Sequence, residues 1–217
     1  LCNHGFFARH PPRMQPHPAF AVIEFNSVPV GLFAADALLK KSPISLIRSG
    51  TIGAGRFLIL LAGTTASVAE AHEEALFHGG LQVADDVFLP DIHPALYDGI
   101  LGNVRNVGDG PVLVLETPTV SCNIQAVERA MKGVPVDLLE FRAGDPRMDG
   151  RGLAILQGDL YDIEAAQEIA LATLETRGIP AQHRILTAPH DALLAQLSVS
   201  TRFDLSKPLA LEGETAS

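Results

Sequence analysis

Apolar runs of five to seven residues alternate along this chain with segments whose apolar positions recur every three to four residues. Short bounded apolar runs predict strands, and the 3.6-residue period predicts amphipathic helices. The first run is Phe20-Ala21-Val22-Ile23-Glu24, and a second, Val112-Leu113-Val114-Leu115-Glu116, follows at an offset of 92 residues. Each leads into a Ser/Thr step, Ser27 or Thr119, suited to a helix N-cap, with Pro29 tolerable in the first turn. The helical segments that follow end in Lys40 and Lys132, and a proline comes next in both, Pro43 and Pro135.

The repetition holds without a gap from Glu24 to Pro43 and resumes where Gly55-Arg56 matches Gly150-Arg151, at an offset of 95. Three extra residues therefore lie in the intervening loop of the second copy. The segment closing on His93 has its counterpart closing on His190. Each copy predicts strand, helix, strand, loop, strand, helix, strand and short helix. The fold class is α+β: two tandem α/β sandwiches over residues 19–102 and 111–198, each a mostly antiparallel sheet with helices packed on one face. The glycine-rich stretch 102–110 reads as the linker, and the polar tail from about Ser200 is expected to be ordered only in part.

Composition narrows the function. A formal charge of -9 and the lack of any Lys/Arg stripe argue against nucleic acid as a partner. The longest apolar run, from Phe57 to Ala62, is far too short to span a bilayer. Leu1 to Pro18 is rich in Pro, His and Arg without the apolar segment of a signal peptide, and Met14 leaves residues 1–13 readable as an upstream extension. Two cysteines, Cys2 and Cys122, make no disulfide framework, and the expectation is a cytosolic protein.

Catalytic and cofactor chemistry finds little footing. Residues 50–55 are glycine-rich but join two predicted strands, so no helix N-terminus is present to cradle a phosphate. There is no G-x-S-x-G, H-E-x-x-H or C-x-x-C. Cys2, His4, His10 and His17 fit no structural metal spacing and read as a solvated leader, whereas Cys122 reads as an inert packing residue. No cofactor, metal site or enzymatic activity is expected. Taken alone, the loops of residues 51–55 and 143–150 read as turns, and Lys40 and Lys132 as cations complementing helix dipoles.

Together the Ala-Val-Ile-Glu-Phe run, the segment Ala34-Ala35-Asp36-Ala37-Leu38-Leu39-Lys40, the loop Thr51-Ile52-Gly53-Ala54-Gly55 and the closes at His93 and His190 resemble the BMC-domain family of bacterial microcompartment shells. The resemblance spans residues 19–198 in unpermuted order. It implies a homotrimer imitating a hexagonal hexamer, tiled with other BMC-domain hexamers and pentameric vertex proteins into a cytoplasmic shell. It further implies a central pore for small metabolites, lined by Thr51, Ile52, Gly53, Ala54 and Gly55 from one copy. From the other come Asp145, Pro146, Arg147, Met148, Asp149 and Gly150, and rings of their charges would act on ions. Lys40, Lys132, His93 and His190 fall at the family's tile edge, although Asp91 stands where an arginine is usual. Glycine at 53, where some tandem members carry a cysteine, leaves no thiolates for an iron–sulfur cluster. A rival from another class is a duplicated regulatory domain binding a small molecule at a subunit interface.

Overall fold

A computed structural model describes residues 17–102, 108–209, 211 and 213, so His4 and His10 lie outside the described residues. The first copy runs β1 (Ala19–Phe25), α1 (Val28–Lys41), β2 (Leu46–Thr51), β3 (Phe57–Gly63), α2 (Thr65–Gly79), β4 (Val83–Leu89) and α3 (Pro94–Ile100). The second runs β5 (Val112–Thr117), α4 (Val120–Gly133), β6 (Asp137–Arg142), β7 (Gly152–Gln157), α5 (Leu160–Glu175), β8 (Gln182–Leu186) and α6 (Asp191–Leu197). Each copy forms a four-stranded sheet, ordered β2-β3-β1-β4 and β6-β7-β5-β8, and every described strand pairing is antiparallel.

The duplication extends to register. Glu24 stands opposite Leu58, as Glu116 stands opposite Leu153, and Phe20 opposite Leu89 as Val112 opposite Leu186. One departure is a bulge between Leu138 and Glu140 in β6, absent from β2.

All seven residues of β1 are buried. Ala19, Ala21, Ile23 and Phe25 face α1 and α2, packing with Phe57, Ile59, Leu61 and Val68. The intervening Phe20 and Val22 join Leu58 and Leu60 on the opposite face, in a core shared with Leu96 and Tyr97 of α3 and Ile124 and Val127 of α4. Burial on both faces explains why β1 reads as a continuous apolar run rather than an alternating one. The first sheet is thus covered on its second face by the second copy, and the two copies share one core.

Local chemistry sets the helix starts. Thr119 caps α4, its hydroxyl accepting from the Cys122 N–H at 3.3 Å. Ser27 occupies the equivalent position before α1 in an extended conformation but makes no side-chain cap bond. His93 and His190 cap α3 and α6, their Nδ1 atoms accepting from the N–H groups of Ala95 (3.3 Å) and Ala192 (3.1 Å). Their recurrence thus has a structural reason.

Candidate functional site: the paired loops and the joint between copies

The β2–β3 loop makes its turn through three consecutive positive φ values, at Gly53 (97°), Ala54 (48°) and Gly55 (73°). In the second copy a 3-10 turn, Pro146–Met148, takes that place and ends on Asp149 (φ 49°) and Gly150 (φ 78°). The two loops lie against each other. A Cβ on Gly53 would sit 2.8 Å from the Pro146 carbonyl oxygen, and one on Gly144 would sit 2.9 Å from Cγ2 of Ile52.

This contact sorts the loop residues. Thr51, Ala54, Gly55, Pro146, Arg147 and Asp149 are exposed; Gly53 and Met148 are half-buried. Ile52 is 3% exposed and belongs to the shared core, so its side chain faces away from solvent. Gly150 is buried beside Arg56.

Asp145, expected as one member of a charged ring, is also buried, at 6% exposure. Its carboxylate accepts from the Arg142 guanidinium and, at 3.0 Å, from the Arg147 N–H, and Arg202 Nε lies 3.4 Å away. Burial by itself would raise this carboxyl, but the Arg142 and Arg147 hydrogen bonds outweigh it and hold Asp145 below the usual aspartate range. Asp145 therefore fixes the loop instead of presenting a free charge. Arg147, itself exposed, pairs with Asp204, which leaves Asp149 as the exposed acid of this loop.

The tail, expected to be ordered only in part, is tied down at its start. Glu140 is buried in β6, where it accepts from Ser200 Oγ at 2.6 Å and from the Thr201 N–H at 2.9 Å. Arg142 donates to Thr201 Oγ1 at 3.1 Å. Residues 200–204 thereby strap across β6 and reach the loop of the second copy. Sequence reading missed this, because the signal is a buried acid, Glu140, whose partners lie about 60 positions away in sequence.

The joint between copies is polar at its rim. Glu24, fully buried, accepts from Ser121 through both its N–H (2.7 Å) and its hydroxyl (2.9 Å) at the first turn of α4, and from Arg56 at 2.5 Å. Burial pushes this carboxyl up to about 7, the Ser121 N–H and Arg56 pulling in the other direction. Asp85 accepts from the Thr119 hydroxyl and, at 2.5 Å, from Arg177, whose other arm reaches Gln125 at 3.0 Å. At the far end of α4, Glu128 accepts from the His93 N–H at 3.0 Å and pairs with Lys132 at 2.8 Å; Lys132 also reaches the Asp91 carbonyl. Cys122 is buried within this joint, as a packing residue should be, and burial pushes its thiol up.

The counterparts of this joint are open. Among the described residues Lys40 pairs with Asp36 alone, at 2.5 Å on the surface, and His190 is exposed. Arg151 holds Glu116 at 2.7 Å, as Arg56 holds Glu24, but the pair lies at the surface. On α1, Leu32 and Leu39 are 54% and 50% exposed, whereas their α4 equivalents Ile124 and Met131 are buried at 0% and 6%.

Comparison with known proteins agrees with this architecture. The BMC domain model matches residues 19–92. The bacterial microcompartment shell protein PduT of Citrobacter freundii is 27% identical over 179 residues, spanning 82% of this chain and 97% of its own length. A microcompartment protein of Desulfitobacterium hafniense superposes with a TM-score of 0.72 at 26% identity, over 82% of this chain and 98% of that one. A fused permuted hexameric shell protein of the RMM microcompartment shares the fold at a TM-score of 0.52 and 22% identity, over 73% of this chain and 84% of its own. Among the described residues no helix is long and apolar enough to cross a membrane. With residues 19–92 matching the BMC domain and the second copy repeating the sheet order and register of the first, this chain has the architecture of two tandem BMC domains in unpermuted order and is similar to shell proteins of bacterial microcompartments.

Proposed function

We propose that three copies of this chain close into a pseudohexagonal ring that serves as a tile of a bacterial microcompartment shell, with a pore on its axis and no catalytic role. One observation carries the reading. The first sheet's second face is covered by α3 and α4. The same face of the second sheet packs against α6 at Val112, Leu139 and Ile155 and has no counterpart of α4 among the described residues, and the matching face of α1 is exposed. A surface that docks head to tail onto a different surface of its own kind forms a closed ring or an open filament. Seating α1 of one chain on the second sheet of the next repeats the internal joint. Six like units, residues 19–102 and 111–198 of each chain, then follow one another around the ring.

In this ring the loops of residues 51–55 and 145–150 alternate around the axis, supported by their contact within one chain. The exposed side chains they bring include Thr51, Ala54, Arg147 and Asp149, small or polar. Such a lining suits polar metabolites and acts on ions chiefly through Asp149 and the Arg147–Asp204 pair. Lys40, Lys132 and the segments capped by His93 and His190 supply the tile's edge. Neighbours there are other BMC-domain hexamers, with pentamers at the vertices of a shell in the cytoplasm.

Light scattering with negative-stain microscopy tests the reading. A particle of three times the 23.1 kDa chain mass, with a central opening and hexagonal sheets at high concentration or with partner hexamers, is expected. A monomer, or a discrete oligomer that binds a small molecule and never tiles, would overturn it.

A further inference from the structure

Within the chain, the incoming helix α4 brings hydrogen-bond donors to a buried acid: the Ser121 N–H and hydroxyl both reach Glu24. The repeat places Pro29 where α4 has Ser121, on helix α1. Proline has no N–H and no hydroxyl, so the acid equivalent to Glu24, which is Glu116, meets neither donor when α1 of a second copy arrives. The neighbouring cluster is rewritten as well. Gln182 replaces Asp85, and Phe33, 58% exposed, replaces Gln125. The turn Gly80–Gln82 holds no cation corresponding to Arg177.

We infer that the joint between chains is chemically distinct from the joint within a chain: apolar on α1, with Glu116 held by its own Arg151 and no donor from the incoming helix. This rests on the ring proposed above and deepens it. One polar contact is kept: His190 and Asp36 occupy the places of His93 and Glu128. The incoming face is otherwise Pro29, Leu32, Phe33 and Leu39, three of them large exposed apolar side chains. Apolar burial makes this joint favourable, whereas Glu116, with Arg151 as its donor and none from the incoming helix, subtracts from it, because a buried charged acceptor short of donors is costly. The distinction also gives the ring its order. Helix α1 suits the second sheet, where the uncharged Gln182 stands in the place of Asp85. Docked on the first sheet, it would leave Asp85 without Arg177, since the first copy holds no equivalent cation in the turn Gly80–Gln82, and that unpaired acid disfavours pairing like copies.

The test compares wild type with Pro29→Ser and Pro29→Ala by mass photometry during dilution, at a urea concentration that brings wild type to half dissociation. Restoring an N–H and a hydroxyl should lower the dissociation midpoint about tenfold or more for Pro29→Ser, and less for Pro29→Ala, which restores the N–H alone. Circular dichroism at high concentration verifies that each variant is folded. Midpoints unchanged or raised in both variants overturn the inference while leaving the ring intact. Wild-type protein that is monomeric at every concentration overturns the ring itself.

Discussion

Ser121 donates both its backbone N–H and its hydroxyl to one carboxylate oxygen of Glu24, across 97 residues of sequence. This contact joins the two copies at a fully buried acid, and it makes the fold sensitive to pH. The folded-state pKa of Glu24 is raised to about 7 from an ordinary 4.5. A raised folded value means that the stabilising contribution is complete below about pH 4.5 and is lost as pH climbs through about 7. Wild type should therefore lose more thermal stability between pH 5 and pH 8 than Glu24→Gln, which stays neutral. Scanning calorimetry at both pH values checks this, and parallel declines would refute it. Asp145, whose pKa is lowered, acts with the opposite sign and only below the ordinary aspartate value, outside that window.

The two equivalent helices allow a paired test of packing. Ile124→Ala removes a fully buried side chain from the internal joint and should cost about 2–5 kcal/mol in urea denaturation. Leu32→Ala, at the equivalent and half-exposed position, should cost the isolated chain less than about 1 kcal/mol but weaken association, read by size-exclusion chromatography. Equal losses of chain stability would contradict the assignment of the two faces.

At the paired loops, Gly53→Cys combines a φ of 97° with a Cβ 2.8 Å from the Pro146 carbonyl oxygen. Gly55→Ala carries the φ cost alone, since nothing lies near its Cβ position. Backbone strain of this kind costs about 1–3 kcal/mol, so both melting temperatures should fall, with Gly53→Cys lower by several degrees more. A thiol at 53 without movement of residues 146–149 would be the contrary result.

The strap gives a graded outcome. Ser200→Ala leaves the buried Glu140 short of a donor and should cost about 1–3 kcal/mol. Asp204→Asn removes an ion pair that is half exposed on both sides and should change stability by less than about 1 kcal/mol. Hydrogen exchange at the amides of Arg147 and Met148 should accelerate in Ser200→Ala, because Arg142 bridges the strap to Asp145. Unchanged exchange there would separate the strap from the loop.

Much of this architecture is legible in the sequence, because duplicated patterns show the same register twice. The matches of Glu24 to Glu116 and Arg56 to Arg151 reappear as two equivalent ion pairs, and the recurring histidines reappear as two helix caps. The resemblance drawn from the loop and helix motifs agrees with the relatives and the fold. Other features were hidden because their cause is tertiary. The acidic positions 140 and 145 look like surface charges until the strap and Arg142 enclose them. Ile52 looks like part of an exposed turn until Gly144 closes over it. The solid apolar character of β1 was visible, but its reason, a second copy packed on the far face, was not.

The contact of Gly53 with the Pro146 carbonyl, and of Ile52 with Gly144, makes the two turns a single mechanical part contributed by distant stretches of one chain. Altering one of them in isolation changes the support of the other. In the proposed ring, a change in what the pore admits is therefore reached most economically by paired substitutions, one in each copy, and grafting either turn alone into a relative should transplant its residues without its shape.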